Sequence, residues 1–194
     1  MTFMETRICS KTREVVIGPQ YPTVIIGERI NPTGKRRLAA SLLERDMSRV
    51  RRLAQSQVDD GAAILDINVG APGVDEVELL PLAVRAVGEV TDVPLCLDSP
   101  NVDALRAALD VYQGKALINS VNGEEEKLER VLPLVKEHGA AVIALTMDDS
   151  GIPNDAATRI AIAAKIVERA EGLGIPREDV VIDCLAMAVC ADCR

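Results

Sequence analysis

The chain has 194 residues, 48% of them hydrophobic but only 2% aromatic and none Trp, so one domain's core must be built from Val, Leu, Ile and Ala. A net charge of −8 argues against nucleic acid as a partner. No apolar run approaches the roughly 18 residues of a membrane span, and the first residues lack the apolar core of a signal peptide, so a cytoplasmic protein with no membrane partner is expected.

Residues 1–22 read as an N-terminal extension. Arg13 to Ile17 suits a short strand and Gly18 to Pro22 is turn chemistry, which together suggest a hairpin closing one end of the domain. A single domain is expected from 23 to 194. Its first strand is Thr23–Gly27, followed by the polar run Glu28-Arg29-Ile30-Asn31-Pro32-Thr33-Gly34. A helix is expected from about Asp46 to Asp60, stopped by Gly61. Ala62–Gly70 is the second strand, and the second helix lies within Asp75–Val90, with Pro81 starting its regular part or kinking it.

The third strand is the most informative. Pro94 is tolerable at a strand's first position, and Leu95-Cys96-Leu97 reads as buried and runs into a single carboxylate, Asp98. Pro100 pushes Ser99 out of helical geometry, and Asn101 then caps a helix to about residue 111. Asp98 should therefore sit at the carboxyl end of a strand, where parallel α/β folds bind ligands.

Lys115–Ser120 is the fourth strand, and a helix from Glu124 to Glu137 follows with Asn122 as its cap. Ala140–Met147 is the fifth strand, Asn154–Glu171 the fifth helix and Asp179–Asp183 the sixth strand. Apolar strands alternating with helices mean a parallel sheet covered by helices. The strand ends, at Glu28, Asp66, Asp98, Asn119, Met147 and Asp183, recur about every 31 residues, the pace of a TIM-type (β/α)8 barrel. No G-x-G-x-x-G or Walker-type loop marks an open nucleotide-binding sheet. Six strands leave two unpaired edges, so the sequence reads as a C-terminally incomplete barrel of about six β/α units.

The charge is uneven. Residues 1–60 carry 11 basic and 7 acidic side chains, and the remainder is strongly acidic. Arg45, Arg49, Arg51 and Arg52 fall in one helical stretch, which is a solvated face or a dock for an acidic ligand tail or partner. The five cysteines do not form a secreted disulfide pattern. Cys96 fills core volume. Cys190-Ala191-Asp192-Cys193, with Cys184 before it, lacks the second C-x-x-C that zinc requires, so no metal site is expected. His138, the only histidine, precedes Gly139 at a helix end and is expected to be structural.

Glu28, Asn31, Asp66, Asn68, Asp98, Asn119 and Asp183 would converge on one mouth. Carboxylates and amides together offer acceptors and donors for a flat heterocycle such as a pterin or a purine. No Ser-His or Cys-His pair is evident for nucleophilic catalysis.

The segments from Gly27 to Gly34, Leu65-Asp66-Ile67-Asn68-Val69-Gly70, Leu95-Cys96-Leu97-Asp98-Ser99, Ile118-Asn119-Ser120 and Val181-Ile182-Asp183, in this order, resemble the pterin-binding methyltransferase family. That family includes the methyltetrahydrofolate:corrinoid/iron–sulfur protein methyltransferases and the folate domain of cobalamin-dependent methionine synthase. The resemblance implies a barrel that is a homodimer when full length. It implies that Asp98, Asn119 and Asp183 hold the pterin ring of methyltetrahydrofolate, with Asp98 and Asn119 the catalytic pair. Asp66, Asn68, Glu28 and Asn31 would shape the mouth. The methyl group would pass to cobalamin supplied by a partner corrinoid protein, since no Asp-x-His-x-x-Gly cobalamin signature is present. The family's Asn-bearing loop after the seventh strand has no counterpart here. Two alternatives stand beside this reading. One is a dihydropteroate synthase-like enzyme, from whose Asn-x-Thr-Pro-Asp-Ser-Phe opening Gly27 to Asn31 departs. The other is a non-catalytic pterin-binding or interaction fragment.

Overall fold

The structure is a computed structural model that describes residues 4–186. Cys190 and Cys193 lie outside the described residues. Six parallel strands, β3 (Ile26–Ile30), β4 (Ile64–Ile67), β5 (Leu95–Asp98), β6 (Leu117–Val121), β7 (Ala141–Leu145) and β8 (Val180–Asp183), pair in chain order. Strictly sequential pairing with intervening helices is the winding of a (β/α)8 barrel, of which six units are described. The helices are α1 (Arg36–Leu43), α2 (Ser48–Asp59), α3 (Glu76–Gly88), α4 (Val102–Val111), α5 (Glu125–His138) and α6 (Ala156–Gly172). An antiparallel hairpin, β1 (Thr6–Cys9) with β2 (Glu14–Ile17), precedes them.

Side chains alternate across the sheet with period two. Leu65, Ile67, Leu97, Ile118 and Val142 face the helices and join the large core they form with α1–α6. Ile64, Cys96, Leu117 and Ala141 face the other way and form a second cluster with Ile8 of the hairpin. The hairpin thus floors the barrel interior at the N-terminal ends of the strands. Contacts at Cys9 help bind it there. Cys9 N–H donates to the Lys115 carbonyl at 3.0 Å. The Tyr112 hydroxyl donates to the Cys9 carbonyl at 2.9 Å and accepts from Leu95 N–H at 3.1 Å. Burial pushes that phenol up to about 12. Gly114 makes the approach feasible, because with φ +145° a Cβ there would lie 2.1 Å from the Cys9 oxygen.

Several boundaries differ from the sequence expectation. The first barrel strand is Ile26–Ile30, displaced toward the polar run. Gly27 explains how Glu28 and Arg29 remain extended. With no Cβ at residue 27, Gln57 Oε1 reaches the backbone and accepts from Arg29 N–H at 2.6 Å. The stretch expected as one helix is preceded by a second, α1, whose start carries no side-chain cap and no acid, hence no sequence signal. Asp46 sits just before the cap of α2 but still accepts from Ser48 N–H at 2.9 Å. Asn122 serves α5 similarly: its Oδ1 accepts from the capping residue Glu124 at 3.0 Å. Asn101 caps α4 through Asp103 N–H, and both Pro81 and Pro133 lie inside helices. His138 bridges Leu134 O and Asp110, a structural role.

Candidate functional site

The residues above the floor change character. Continuing outward along the interior face, Ile64 gives way to Asp66 and then Asn68, Cys96 to Asp98, Leu117 to Asn119, and Val181 to Asp183. Four neighbouring polar side chains interlock. Asp98 and Asn119 are direct register partners on β5 and β6. Asn68 Nδ2 donates to Asp98 Oδ2 at 2.8 Å. Asn119 Nδ2 donates to Asp66 Oδ1 at 3.1 Å, reaching across β5 from β6 to β4. The amide of Asn119 is thereby turned with its nitrogen inward, which leaves its carbonyl oxygen for the mouth.

Asp66 is 2% exposed and lies deeper than the other acids. Burial pushes its carboxyl up to about 6, held back by hydrogen bonds from Asn119 and Cys96 and raised further by the Asp98 and Glu28 charges. Burial likewise raises Asp98, opposed by its Asn68 hydrogen bond and reinforced by Glu28 and Glu76. The Cys96 thiol, fully buried beneath them, is pushed well above its ordinary value and stays protonated.

The loops brace this layer. Asn68 Oδ1 accepts from Gly70 N–H at 2.8 Å, and Ser99 Oγ donates to Glu76 Oε2 at 2.6 Å while accepting from Asn101 N–H at 3.0 Å. A cleft of about 180 Å³ opens from Asp98 and Asn119 over Ser99, Ser120 and Asn122 to Lys127 on α5. Sequence inspection missed Glu76, Ser99, Asn122 and Lys127. The one available signal was that Ser99 and Asn122 flank helix starts.

The other expected residues stand around this centre. Glu28 is exposed on β3, near enough to act electrostatically on Asp66 and Asp98. Asn31 closes a turn, its Oδ1 accepting from Thr33 N–H at 2.9 Å. Asp183 is exposed and separated from Asn119 by β7, so it lies about 10 Å across two strand spacings. Its Oδ1 accepts from Leu185 N–H at 2.7 Å and its carbonyl accepts from Thr146. It shares the mouth's face without joining the network. Among the described residues, no three His, Cys, Asp or Glu side chains are placed to hold a metal ion, and no helix is long and apolar enough to cross a membrane.

The profile of the family described as pterin binding enzyme matches residues 27–191. The chain is 31% identical over 191 residues to methionine synthase of Mycobacterium tuberculosis (strain ATCC 25618 / H37Rv), covering 95% of this chain and 16% of that protein. It is 31% identical over 171 residues to methylcorrinoid:tetrahydrofolate methyltransferase of Eubacterium limosum, covering 86% of this chain and 62% of that one. The chain thus spans about a sixth of the former relative and under two thirds of the latter. Among solved structures, dihydropteroate synthase of Yersinia pestis with a pterine-sulfa conjugate superposes with a TM-score of 0.65 at 20% identity, over 92% of this chain and 64% of that one. The dihydropteroate synthase of Vibrio fischeri ES114 gives 0.63 at 17% identity, over 92% and 66%. Those identities speak to the shared barrel alone. With the profile running through β3 to β8 and the mouth residues in order along it, the chain belongs to the pterin-binding enzyme family.

Proposed function

We propose that this chain binds methyltetrahydrofolate by its pterin ring and serves transfer of the N5-methyl group to cob(I)alamin carried by a separate corrinoid protein. The observation that carries this reading is the Asp98–Asn119 register pair at the top of β5 and β6, above an apolar floor and beside an open cleft. The donor set fits the ring. A pterin's amino-pyrimidine edge presents N–H donors, which carboxylates accept, and its remaining nitrogens and carbonyl suit an amide. In this reading Asp98, Asn119 and Asp183 contact the ring. Asn68 and Asp66 hold the first two in place, and Glu28 and Asn31 border the entrance.

The chemistry asks for a proton. When the methyl leaves, the electron pair of the C–N bond stays on N5, and a neutral amine leaves poorly unless N5 is protonated or strongly hydrogen-bonded by the transition state. Asp98, its carboxyl raised by burial, is suited to hold a proton near the ring. Asn119 and Asn68 fix the geometry in which that proton is delivered. The corrinoid acts as acceptor substrate, and no side chain of this chain is assigned to it. Homodimerisation in the whole protein belongs to the same proposal.

Methyltetrahydrofolate, chemically reduced cobalamin and the protein should yield methylcobalamin, followed by its absorbance, and Asp98→Ala should lower the rate by at least about a hundredfold. Pterin binding without methylcobalamin at any acceptor concentration would leave a binding module. Pterin binding indifferent to both Asp98→Ala and Asn119→Ala would remove the site itself. The dihydropteroate synthase likeness rests on the fold, and the departure at Gly27 to Asn31 speaks against that chemistry.

A further inference from the structure

The connection from β4 into α3 reaches Asp98 by two arms. One is the Asn68 amide on its carboxylate. The other starts at Glu76, the first residue of α3, whose half-buried side chain turns toward the mouth. Its Oε2 accepts from the hydroxyl of Ser99, the residue after Asp98, at 2.6 Å. Ser99 is 4% exposed, and Pro100 beyond it has no N–H to help close the turn. The Ser99 oxygen already accepts from Asn101 N–H at 3.0 Å, and the Asn101 carbonyl, 3.5 Å away, is too distant to compete for the hydroxyl proton. That proton therefore goes to Glu76. Asn101 in turn caps α4 through Asp103 N–H, so Ser99 ties the turn behind Asp98 to α3 on one side and α4 on the other. Gly70 lies beneath both arms: a Cβ there would sit 3.2 Å from Asn68 Oδ1 and 3.5 Å from Glu76 Oε1.

An acid in a first helical turn is ordinary, because the dipole favours it there. Glu78, two residues on, fits that description and pairs outward with Arg45. Glu76 does not. Among the described residues no Lys or Arg lies within ion-pair distance of it, and its charge bears on Asp98. The charged groups around Asp98 are Glu28 from β3, Asp66 from β4, Glu76 from α3 and, across the cleft, Lys127 from α5. Glu28 is exposed and acts through space, and Asp66 is engaged by Asn119. Glu76 combines a charge facing the Asp98 carboxyl with a hydrogen bond to the residue that follows it.

We propose that Glu76 is a positioning residue for Asp98: through Ser99 it fixes the backbone on which Asp98 rides, and its negative charge favours a proton on the Asp98 carboxyl. The consequence for ring binding rests on the pterin reading above. Three substitutions separate the two effects. Glu76→Gln keeps an acceptor for Ser99 and removes the charge, Glu76→Ala removes both, and Ser99→Ala removes the link and leaves the charge.

The test uses the full chain and two readouts. One is a carbon NMR titration of the Asp98 carboxyl without ligand. The other is methyltetrahydrofolate affinity by fluorescence quenching, at a pH where the spectra show Asp98 in the same form in every variant. Glu76→Gln should lower the pH at which Asp98 titrates, by less as salt rises, whereas a merely structural contact would leave it unmoved. Glu76→Ala should lower it too and weaken methyltetrahydrofolate binding about three- to tenfold, the worth of one hydrogen bond in a buried turn. Glu76→Gln should recover most of that affinity. Ser99→Ala should weaken binding as Glu76→Ala does, with Asp98 titrating closer to its position in the unaltered chain. An Asp98 titration unmoved or raised in Glu76→Gln overturns the proposal, and so does an affinity in Glu76→Gln as low as in Glu76→Ala. An unaltered chain that binds no methyltetrahydrofolate overturns the pterin reading, not the coupling of Glu76 to Asp98, which the ligand-free titration measures by itself.

Discussion

The floor and the mouth of the barrel interior are built by the same strands, two residues apart. At the floor, Ile64, Cys96, Leu117 and Ala141 pack against Ile8 with no polar atom to satisfy other than a thiol. At the mouth, Asp66, Asp98, Asn68 and Asn119 hold one another in hydrogen bonds and leave a cleft open. Apolar packing needs only volume and tolerates no gap. A polar layer needs every donor matched, and its unmatched atoms are what a ligand meets. The difference teaches where stability resides and where binding capacity is kept.

The contrast can be broken most strongly at the floor. Leu117→Ala removes a fully buried side chain and should destabilise the chain by about 2–5 kcal/mol in urea unfolding, while ring affinity per folded molecule stays within about twofold. Equal losses in both would show that floor and mouth are one unit.

Asp66 sharpens the comparison next. Its carboxyl is held at about 6 in the folded chain against 3.8 when free, so between those values the folded state binds a proton that the unfolded state has released. Stability should therefore fall as pH rises from about 4 to about 6 and level off above, by up to about 3 kcal/mol from this group. Asp66→Asn should flatten that slope. A wild-type curve that rises through the same window after subtraction of the variant's would show that ionised Asp66 is favoured by its surroundings.

Asn68→Ala should have a smaller effect, about 1–2 kcal/mol, because Asp98 loses its hydrogen-bond donor in a half-buried setting. The Asp98 carboxyl should move further upward, as read by carbon NMR of the side chain. A downward movement would mean that Asn68 does not sustain the charged form.

Tyr112→Phe is the mildest, about 1 kcal/mol, since it removes the hydroxyl joining Cys9 to Leu95 beneath the floor. Amide exchange at Leu95 should quicken while that at Asp98 and Asn119 is unchanged. Faster exchange at the mouth as well would show that the hairpin's hold extends the length of the strands.

Much of this was legible in the chain. The strand-to-helix rhythm, the Asn101 cap and the placement of Asp98 at a strand end follow from local patterns whose energetics are local. α1 was not legible because it starts without cap or acid, so its helical state depends on Leu38 and Leu42 finding the core. The start of β3 was misplaced because Glu28 and Arg29 look like loop residues until Gln57, nearly thirty positions away, supplies a partner for the backbone.

By itself the sequence determined the winding, the period-two alternation and the inventory of acids and amides, because each is written in neighbouring residues. Only the tertiary structure decided that Asp66 supports Asn119 across β5, that Asn68 holds Asp98, and that Arg45 and Arg51 find the carboxylates of Glu78 and Glu89 on a neighbouring helix. Those outcomes depend on strand register and on which helices lie side by side. Residues dozens of positions apart set both, and no local propensity encodes them.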